Sequence, residues 1–493
     1  MSKFKKIDTE KYELAVGTEH FTLAAIRLIT VTDINDTLTE KSESLVYRGV
    51  AKPLSGQIFT LTDRVNRAVT LFIIPAPDWF LPMAEIKQGV LTVITGGYPL
   101  YVAECKDGEQ ERLCRDWYRE FYKPTELHAM SNTWGDRNGR TRVCDEFIRR
   151  EIDSAVDLGL DVMQIDDGWQ RGIPEDYDAD GNRVFEGDFW EIKSEILPYG
   201  IKPLAEYARE RGVELGLWFA PHSRGVFEHY ERDLGVLSRA YDEWSVRYFK
   251  LDMIDLPTRA HADKMKELLK TLFAKDGVSV ELDVTAHQRL GYLAPAPFGT
   301  IFVENRYTAW KNYYPHRTLR NEWMLSRYVP LSKLQFELIN PELCNDLYSQ
   351  DDPYRHELYD IDYLFVSVML SNPLFWMETQ FLSERSRAQL KAIIPVWKRY
   401  RRALTSADVS PIGEMPSGES LTGFLAETPD AYHVIALRES TDRDTLTVTL
   451  PSAVRCAELV AEKSHTDVTT DGNILRVKFS SPRAYAWIKL DKK

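Results

Sequence analysis

The sequence predicts a multidomain α/β chain: a central (β/α)8 TIM barrel with an N-terminal β-sandwich-like domain and a small C-terminal β-sandwich. Three observations predict it. From about Leu127 to Arg402, strand-length apolar runs alternate with helical patterns, the signature of a parallel sheet. Eight such runs over about 280 residues fit the size and order of a TIM barrel. Several of the runs stop abruptly in acidic residues, where a barrel of this kind carries its chemistry.

Residues 1–122 read as β structure, with apolar runs at Phe21–Val31, Ser44–Val50, Gln57–Leu61, Ala68–Ile74, Gly89–Thr95 and Leu100–Ala103 broken by Asp, Asn, Gly and Pro. Residues 123–405 form the barrel unit. Its strands are expected at His128–Trp134, Asp161–Ile165, Glu214–Phe219, Val246–Asp252, Val278–Val284, Thr300–Val303, Lys333–Ile339 and Pro373–Glu378. Helices are expected near Arg142–Leu158 and Ile201–Arg211, from about Ala262, and at Ser383–Arg402, the last a basic helix that closes the unit. The Asp/Gly-rich segment Gly172–Gly187 is expected to lie over the barrel mouth, and its partial likeness to a calcium loop lacks the remaining ligand positions. Residues 406–493 return to short alternating β runs.

Composition excludes several partners. A net charge of −13 argues against nucleic acid, which needs a basic surface. No apolar run reaches the length of a membrane span, and the start has no apolar core of a secretory signal. The five cysteines are scattered with no Cys-x-x-Cys pair, which fits reduced thiols in a cytoplasmic protein and gives no zinc pattern. No metal and no cofactor are expected.

The chemistry sits at the strand ends. The second, fourth and sixth strands end in Asp166-Asp167, Asp252 and Glu304, which the barrel topology brings to one face. Asp252 and Glu304 are 52 positions apart (304 − 252), so no single helix face explains them. Two carboxylates across a ring-lined pocket are what glycosidic bond cleavage needs, one to attack the anomeric carbon or activate water, the other to protonate the departing oxygen. There is no Ser or Cys nucleophile motif, no phosphate-binding glycine loop and no pair of histidines at helical metal-ligand spacing. His222 and Arg306 read as pocket wall or structural residues. Trp134 and Tyr307 read as sugar platforms or core.

Asp166-Asp167-Gly168-Trp169, Gly216-Leu217-Trp218-Phe219-Ala220-Pro221, Lys250-Leu251-Asp252-Met253 and Val303-Glu304-Asn305 occur in the order found in clan D glycoside hydrolases. Over residues 127–405 the chain resembles family 36 of that clan, the melibiase-like α-galactosidases. The resemblance implies a retaining enzyme in which Asp252 is the nucleophile and Glu304 the acid/base. Asp283, on the adjacent strand, is the rival for the second role. Asp166 and Asp167 would hold the C4 and C6 hydroxyls and Lys250 the C3 or C4 hydroxyl. Trp218 and Trp169 would form the pocket wall, and Asn305 matches the residue after the family's acid/base. The partner implied is a small oligosaccharide or glycoside, and since relatives often assemble, a homo-oligomer is left open.

Two departures bear on the substrate. The acid/base is Glu where the family has Asp. The family's Cys-Ser-Gly-Gly-Gly-Gly-Arg stretch is replaced by Asp283-Val284-Thr285-Ala286-His287-Gln288-Arg289, in which Arg289 alone matches. A carboxylate and an imidazole then stand on the C2 side of the sugar. The expected activity is hydrolysis of terminal α-galactosides by double displacement. The alternatives are an α-glycosidase or transglycosylase for N-acetylgalactosamine, glucose or L-arabinopyranose, or an inactive sugar-binding barrel.

Overall fold

Eight parallel strands close into a barrel: Met130–Asn132, Val162–Ile165, Glu214–Phe219, Tyr248–Leu251, Ser279–Asp283, Thr300–Phe302, Leu334–Leu338 and Asn372–Phe375. Each pairs with the next, and the eighth returns to the first through Leu374 and Met130. The structure is a computed structural model that describes residues 2–17, 20–30, 37–135, 139–174, 187–285, 288–303 and 306–493. All eight expected strands are present, most of them shorter than the apolar runs that announced them.

Alternation along each strand separates two cores. Ile165, Leu217, Phe249, Leu251, Val280 and Ile301 face outward into the large core shared with the surrounding helices. Met130, Val162, Phe302, Leu374 and Trp376 form a distinct cluster inside the barrel. Lys250 stands opposite Trp218 and Glu281 in the register, so the charged residue of the fourth strand belongs to the inner face. Asp252, two residues on, follows the same parity.

Helices Asp145–Leu158, Lys202–Arg209, Tyr230–Asp242, Arg259–Phe273, Pro315–Leu325, Ile361–Val368 and Glu384–Ser406 cover the outside. Their ends follow from local chemistry. Gly159 (φ 74°) takes the left-handed position that ends the first of them. The Thr258 and Ser383 side chains accept from the backbone N–H of His261 and Ser386 at two later helix starts. Among the described residues, no helix lies between the fifth and sixth strands.

The N-terminal strands form a six-stranded and a four-stranded antiparallel sheet, with Leu23, Phe59, Phe72, Ile86, Leu91 and Val93 buried in one cluster. The C-terminal strands form a five-stranded and a three-stranded sheet around Val434, Val448, Leu475, Val477 and Ile488. Two stretches depart from the sequence reading: Ser44–Val50 holds mainly the turn between strands Thr39–Leu45 and Ala51–Ser55, and Gln110–Phe121, inside the stretch read as β, is a helix. Leu113, Cys114, Trp117 and Tyr118 are buried along it at helical spacing, a period the short window around Leu100–Ala103 hides. Arg115 of this helix is buried, donates to Asp408 at 2.8 Å and to the Arg327 carbonyl at 2.9 Å, and so ties the two flanking regions to the barrel. Burial pushes the Asp408 carboxyl up, but Arg115 and Arg119 outweigh it and hold it down at about 2. Most of the Gly172–Gly187 segment (175–186) lies outside the described residues, and no helix among the described residues is long and apolar enough to cross a membrane.

Candidate active site

One ammonium gathers three strand ends. Lys250 Nζ stands 3.1 Å from Asp166, 3.7 Å from Asp252 and 3.6 Å from Asp283. Its underside rests on aromatic rings, 4.7 Å from the centre of Trp376 and 5.4 Å from that of Phe302. Burial works against the charge, but Asp166, Asp252 and Asp283 outweigh it and hold the ammonium well above the usual lysine value.

Asp252 follows the last residue of the fourth strand. Its Oδ2 accepts from Trp218 Nε1 at 3.1 Å and its Oδ1 from Arg289 at 3.3 Å. The next residue, Met253, adopts a left-handed backbone (φ 53°), and its N–H donates to Asp252 Oδ1 at 2.5 Å. A non-glycine residue in that region is uncommon and clusters at functional sites. Burial opposes ionisation of Asp252, yet Lys250, Arg289, Trp218 and the Met253 N–H hold its carboxyl below the usual value. It is also the accessible member of the group: its side chain is 19% exposed, against 4% for Asp166 and 3% for Asp283.

Asp166 and Asp167 face different partners. Asn132 donates to Asp166 Oδ2 at 2.8 Å. Asp167 accepts from Arg140 at 2.9 Å and from Gln170 at 2.5 Å. Gly168 (φ 126°) permits the Arg140 approach, because a Cβ there would fall 2.6 Å from the Arg140 Cβ. Trp169 is buried in a cluster with Trp190 and Trp244, and its indole N–H donates to the Trp218 carbonyl at 2.9 Å. Trp218 is thus held between Trp169 and Asp252.

Asp283 lies on the far side of Lys250, and its Oδ1 accepts from the Thr285 N–H at 2.7 Å. Burial, then the nearby Asp252 charge, pushes its carboxyl up to about 6. Below it on the same strand, burial pushes Glu281 up to about 8, and Gln164 donates to it at 3.1 Å. Glu304, Asn305 and His287 lie outside the described residues, flanked by buried Val303 and Arg306 and by Thr285 and Gln288. Of the residues singled out in the sequence, Asp166, Trp218, Lys250, Asp252, Asp283 and Arg289 form one contiguous network. Asp167 and Trp169 adjoin it.

Five members of the network escaped the sequence reading: Asn132, Arg140, Gln164, Glu281 and Asp78, whose carboxylate accepts from the Arg289 N–H. Gln164 and Glu281 carried a usable signal, since each is a polar residue at a buried position flanked by apolar residues of its strand. The arrangement supplies one accessible carboxylate kept ionised beside others pushed toward protonation, a pairing suited to nucleophile and acid chemistry at neutral pH.

A family model described as Melibiase matches residues 103–252, which takes in Asp166, Asp167, Trp218, Lys250 and Asp252 and stops there. α-Galactosidase Mel36A of Lactobacillus acidophilus is 27% identical over 111 residues, 22% of this chain and 13% of that protein. α-Galactosidase AgaA of Geobacillus stearothermophilus is 30% identical over 110 residues, again 22% of this chain and 13% of that protein. The alignments therefore span about an eighth of these relatives' length. In three dimensions the likeness is far broader. The crystal structure of AgaA superposes with a TM-score of 0.70 at 13% identity over 98% of this chain and 76% of that one. The galactosidase domain of AgaSK gives 0.72 at 12% identity, over 98% and 75%. By the sequence of its first four barrel strands and by the fold of nearly its whole length, the chain resembles the melibiase-like α-galactosidases of glycoside hydrolase family 36.

Proposed function

We propose that the protein is a retaining α-glycosidase acting on terminal α-linked sugars, with α-galactosides as first substrates. The observation that carries this reading is the state of Asp252. It is a part-buried but reachable carboxylate at a strand end, held ionised by Lys250 and Arg289 and aimed by the Trp218 N–H. In the proposed reaction Asp252 attacks the anomeric carbon and forms a glycosyl ester while Glu304 protonates the leaving oxygen. Glu304 then takes a proton from the incoming water, and the ester is hydrolysed with net retention. Asp166 and Asp167, fixed by Asn132 and Arg140, are assigned to the sugar hydroxyls.

The choice of Glu304 over Asp283 rests on Glu304's place in the Val-Glu-Asn motif and on the burial of Asp283. Asp283 is nearly inaccessible, with one oxygen on the Thr285 N–H and the other facing Lys250. Structures of AgaA variants have been solved with raffinose and with stachyose, which makes α-galactosyl oligosaccharides the first candidates here. Asp283, where the resembling family has Cys, favours a second reading in which the C2 side of the pocket suits a different α-pyranoside.

The test is a panel of aryl α-glycosides, including α-galactoside and α-N-acetylgalactosaminide, with wild type, Asp252→Asn, Glu304→Gln and Asp283→Asn. The reading predicts an inactive Asp252→Asn, and a Glu304→Gln that azide rescues to the α-azide of retained configuration. Wild-type activity in Glu304→Gln together with a dead Asp283→Asn moves the acid/base role to Asp283. Sugar binding with no cleavage across the panel defeats the enzyme reading.

A further inference from the structure

On the barrel rim, where the third strand gives way to helix Tyr230–Asp242, the chain makes an unusual turn. Gly225, Val226 and Phe227 have φ of 59°, 55° and 62°, three left-handed residues in succession. For a β-branched residue such as Val226 that is a genuine outlier, and such conformations persist where the surrounding structure enforces them. The turn folds Glu228 and His229 back onto His222. A Cβ at Gly225 would fall 2.9 Å from Glu228 Oε2, so the glycine leaves room for the carboxylate. His222 Nδ1 stands 3.7 Å from Glu228 Oε1, and the His222 and His229 rings stack at 4.9 Å and 18°. One ligand atom from each of the three residues lies within 4.8 Å of the others, and among the described residues this is the one such grouping of His, Cys, Asp and Glu.

We propose that His222, Glu228 and His229 form a site for a divalent transition-metal ion of the zinc class. Two imidazoles and one carboxylate are a ligand set that zinc accepts, with metal–ligand distances of about 2.0–2.2 Å and a fourth position left to water. Binding requires the two stacked rings to rotate so that their in-plane lone pairs converge, with the Glu228 carboxylate, on one ion. Of the nearby cations Arg232 and Arg224, Arg232 is matched by Asp233 at 3.0 Å. Asp233 also accepts from the His222 backbone N–H at 2.7 Å and so fixes the first ligand's main chain from behind. Ser223 accepts from the Asp255 N–H at 3.1 Å, which links this turn to the loop that follows Asp252. The ion pins the rim of the third strand; it takes no part in the proposed bond cleavage. No spacing rule finds this site, because the left-handed turn rather than a helix face brings the ligands together.

The experiment uses the full chain, stripped with chelator and titrated with Zn2+ alone by calorimetry and thermal unfolding, then with Co2+ by visible absorption. The expected result is one equivalent bound with Kd in the micromolar range or tighter, a rise in Tm, and a low-coordinate cobalt spectrum. Glu228→Gln and His229→Ala alter residues that are not buried, and each should weaken binding at least tenfold and abolish the Tm rise. Gly225→Ala, which keeps all three ligands but crowds Glu228, should weaken it too. Absence of binding at about 100 μM Zn2+ overturns the proposal. So does a stoichiometry and affinity unchanged in a Glu228→Gln/His229→Ala double variant, which places the metal elsewhere.

Discussion

The backbone N–H of Arg289 donates to the Asp78 carboxylate at 3.2 Å across 211 positions of sequence. Arg289 is the residue whose guanidinium pairs with Asp252, and Asp78 belongs to the loop after the N-terminal strand Ala68–Ile73. The other Asp78 oxygen accepts from the Thr30 hydroxyl at 2.6 Å, and Gly291 sits so close that a Cβ would fall 3.1 Å from it. A flanking sheet therefore anchors the loop that polarises the candidate nucleophile.

Asp78→Ala removes that anchor. Leaving the Arg289 N–H without its acceptor costs about 1–3 kcal/mol, visible as a lowered Tm. Displacing Arg289 by even about 1 Å lowers kcat/KM on an α-galactoside by roughly a hundredfold. Asp78→Asn keeps a carbonyl oxygen for the same N–H and should retain most activity. Equal kcat/KM for wild type and Asp78→Ala refutes the anchoring role.

Asp252→Asn should lose more than about a thousandfold in kcat while substrate still binds, because it removes a group needed only as bonds change. The fold should survive, since Asn can still accept from the Trp218 indole. Circular dichroism and sugar binding by calorimetry separate loss of chemistry from loss of structure.

Lys250→Met leaves Asp166, Asp252 and Asp283 facing one another without their shared cation. Removing one partner of a buried charge group costs about 3–5 kcal/mol, to be read by urea denaturation. The loss should be smaller at pH 5 than at pH 8, because Asp283, pushed up to about 6 by burial and the Asp252 charge, can then escape repulsion by protonation. A deficit independent of pH contradicts the electrostatic account.

Glu281 gives a signed pH dependence. An ordinary glutamate titrates near about 4.3, whereas burial raises Glu281 to about 8 in the folded chain. Between those values the folded state keeps a proton that the unfolded state has released, so stability falls as pH rises through the window. Glu281→Gln carries no such proton, keeps an oxygen for the Gln164 donor, and should flatten the decline. Urea midpoints for both proteins at pH 5, 7 and 9 measure it, and parallel curves would exclude Glu281 as the source.

The strand order and the acids at the strand ends were legible because both rest on local pattern. A buried strand reads as an apolar run, and a charge at its end breaks that run visibly, as at Leu251-Asp252 and Ile165-Asp166. What holds those acids was not legible. Asn132, Arg140 and Asp78 look like ordinary strand or loop residues, and their partners lie 34, 27 and 211 positions away. Helix Gln110–Phe121 was absorbed into the β reading because it follows a strand directly and its aromatics suit either element. The Glu304 side of the pocket rests on the sequence motif alone, since that residue lies outside those described.

The charges packed around Lys250 also bear on how this protein could be hardened against heat. A buried cluster of opposed ions is often less stabilising than well-packed apolar side chains of the same volume, so the simplest route to a tougher barrel is to empty its centre of charge. That route deletes the group that keeps Asp252 ionised. Thermal tolerance and turnover pull against each other at this one spot. Directed evolution for both should therefore spare the strand ends and find its gains at remote seams such as the Arg115–Asp408 contact.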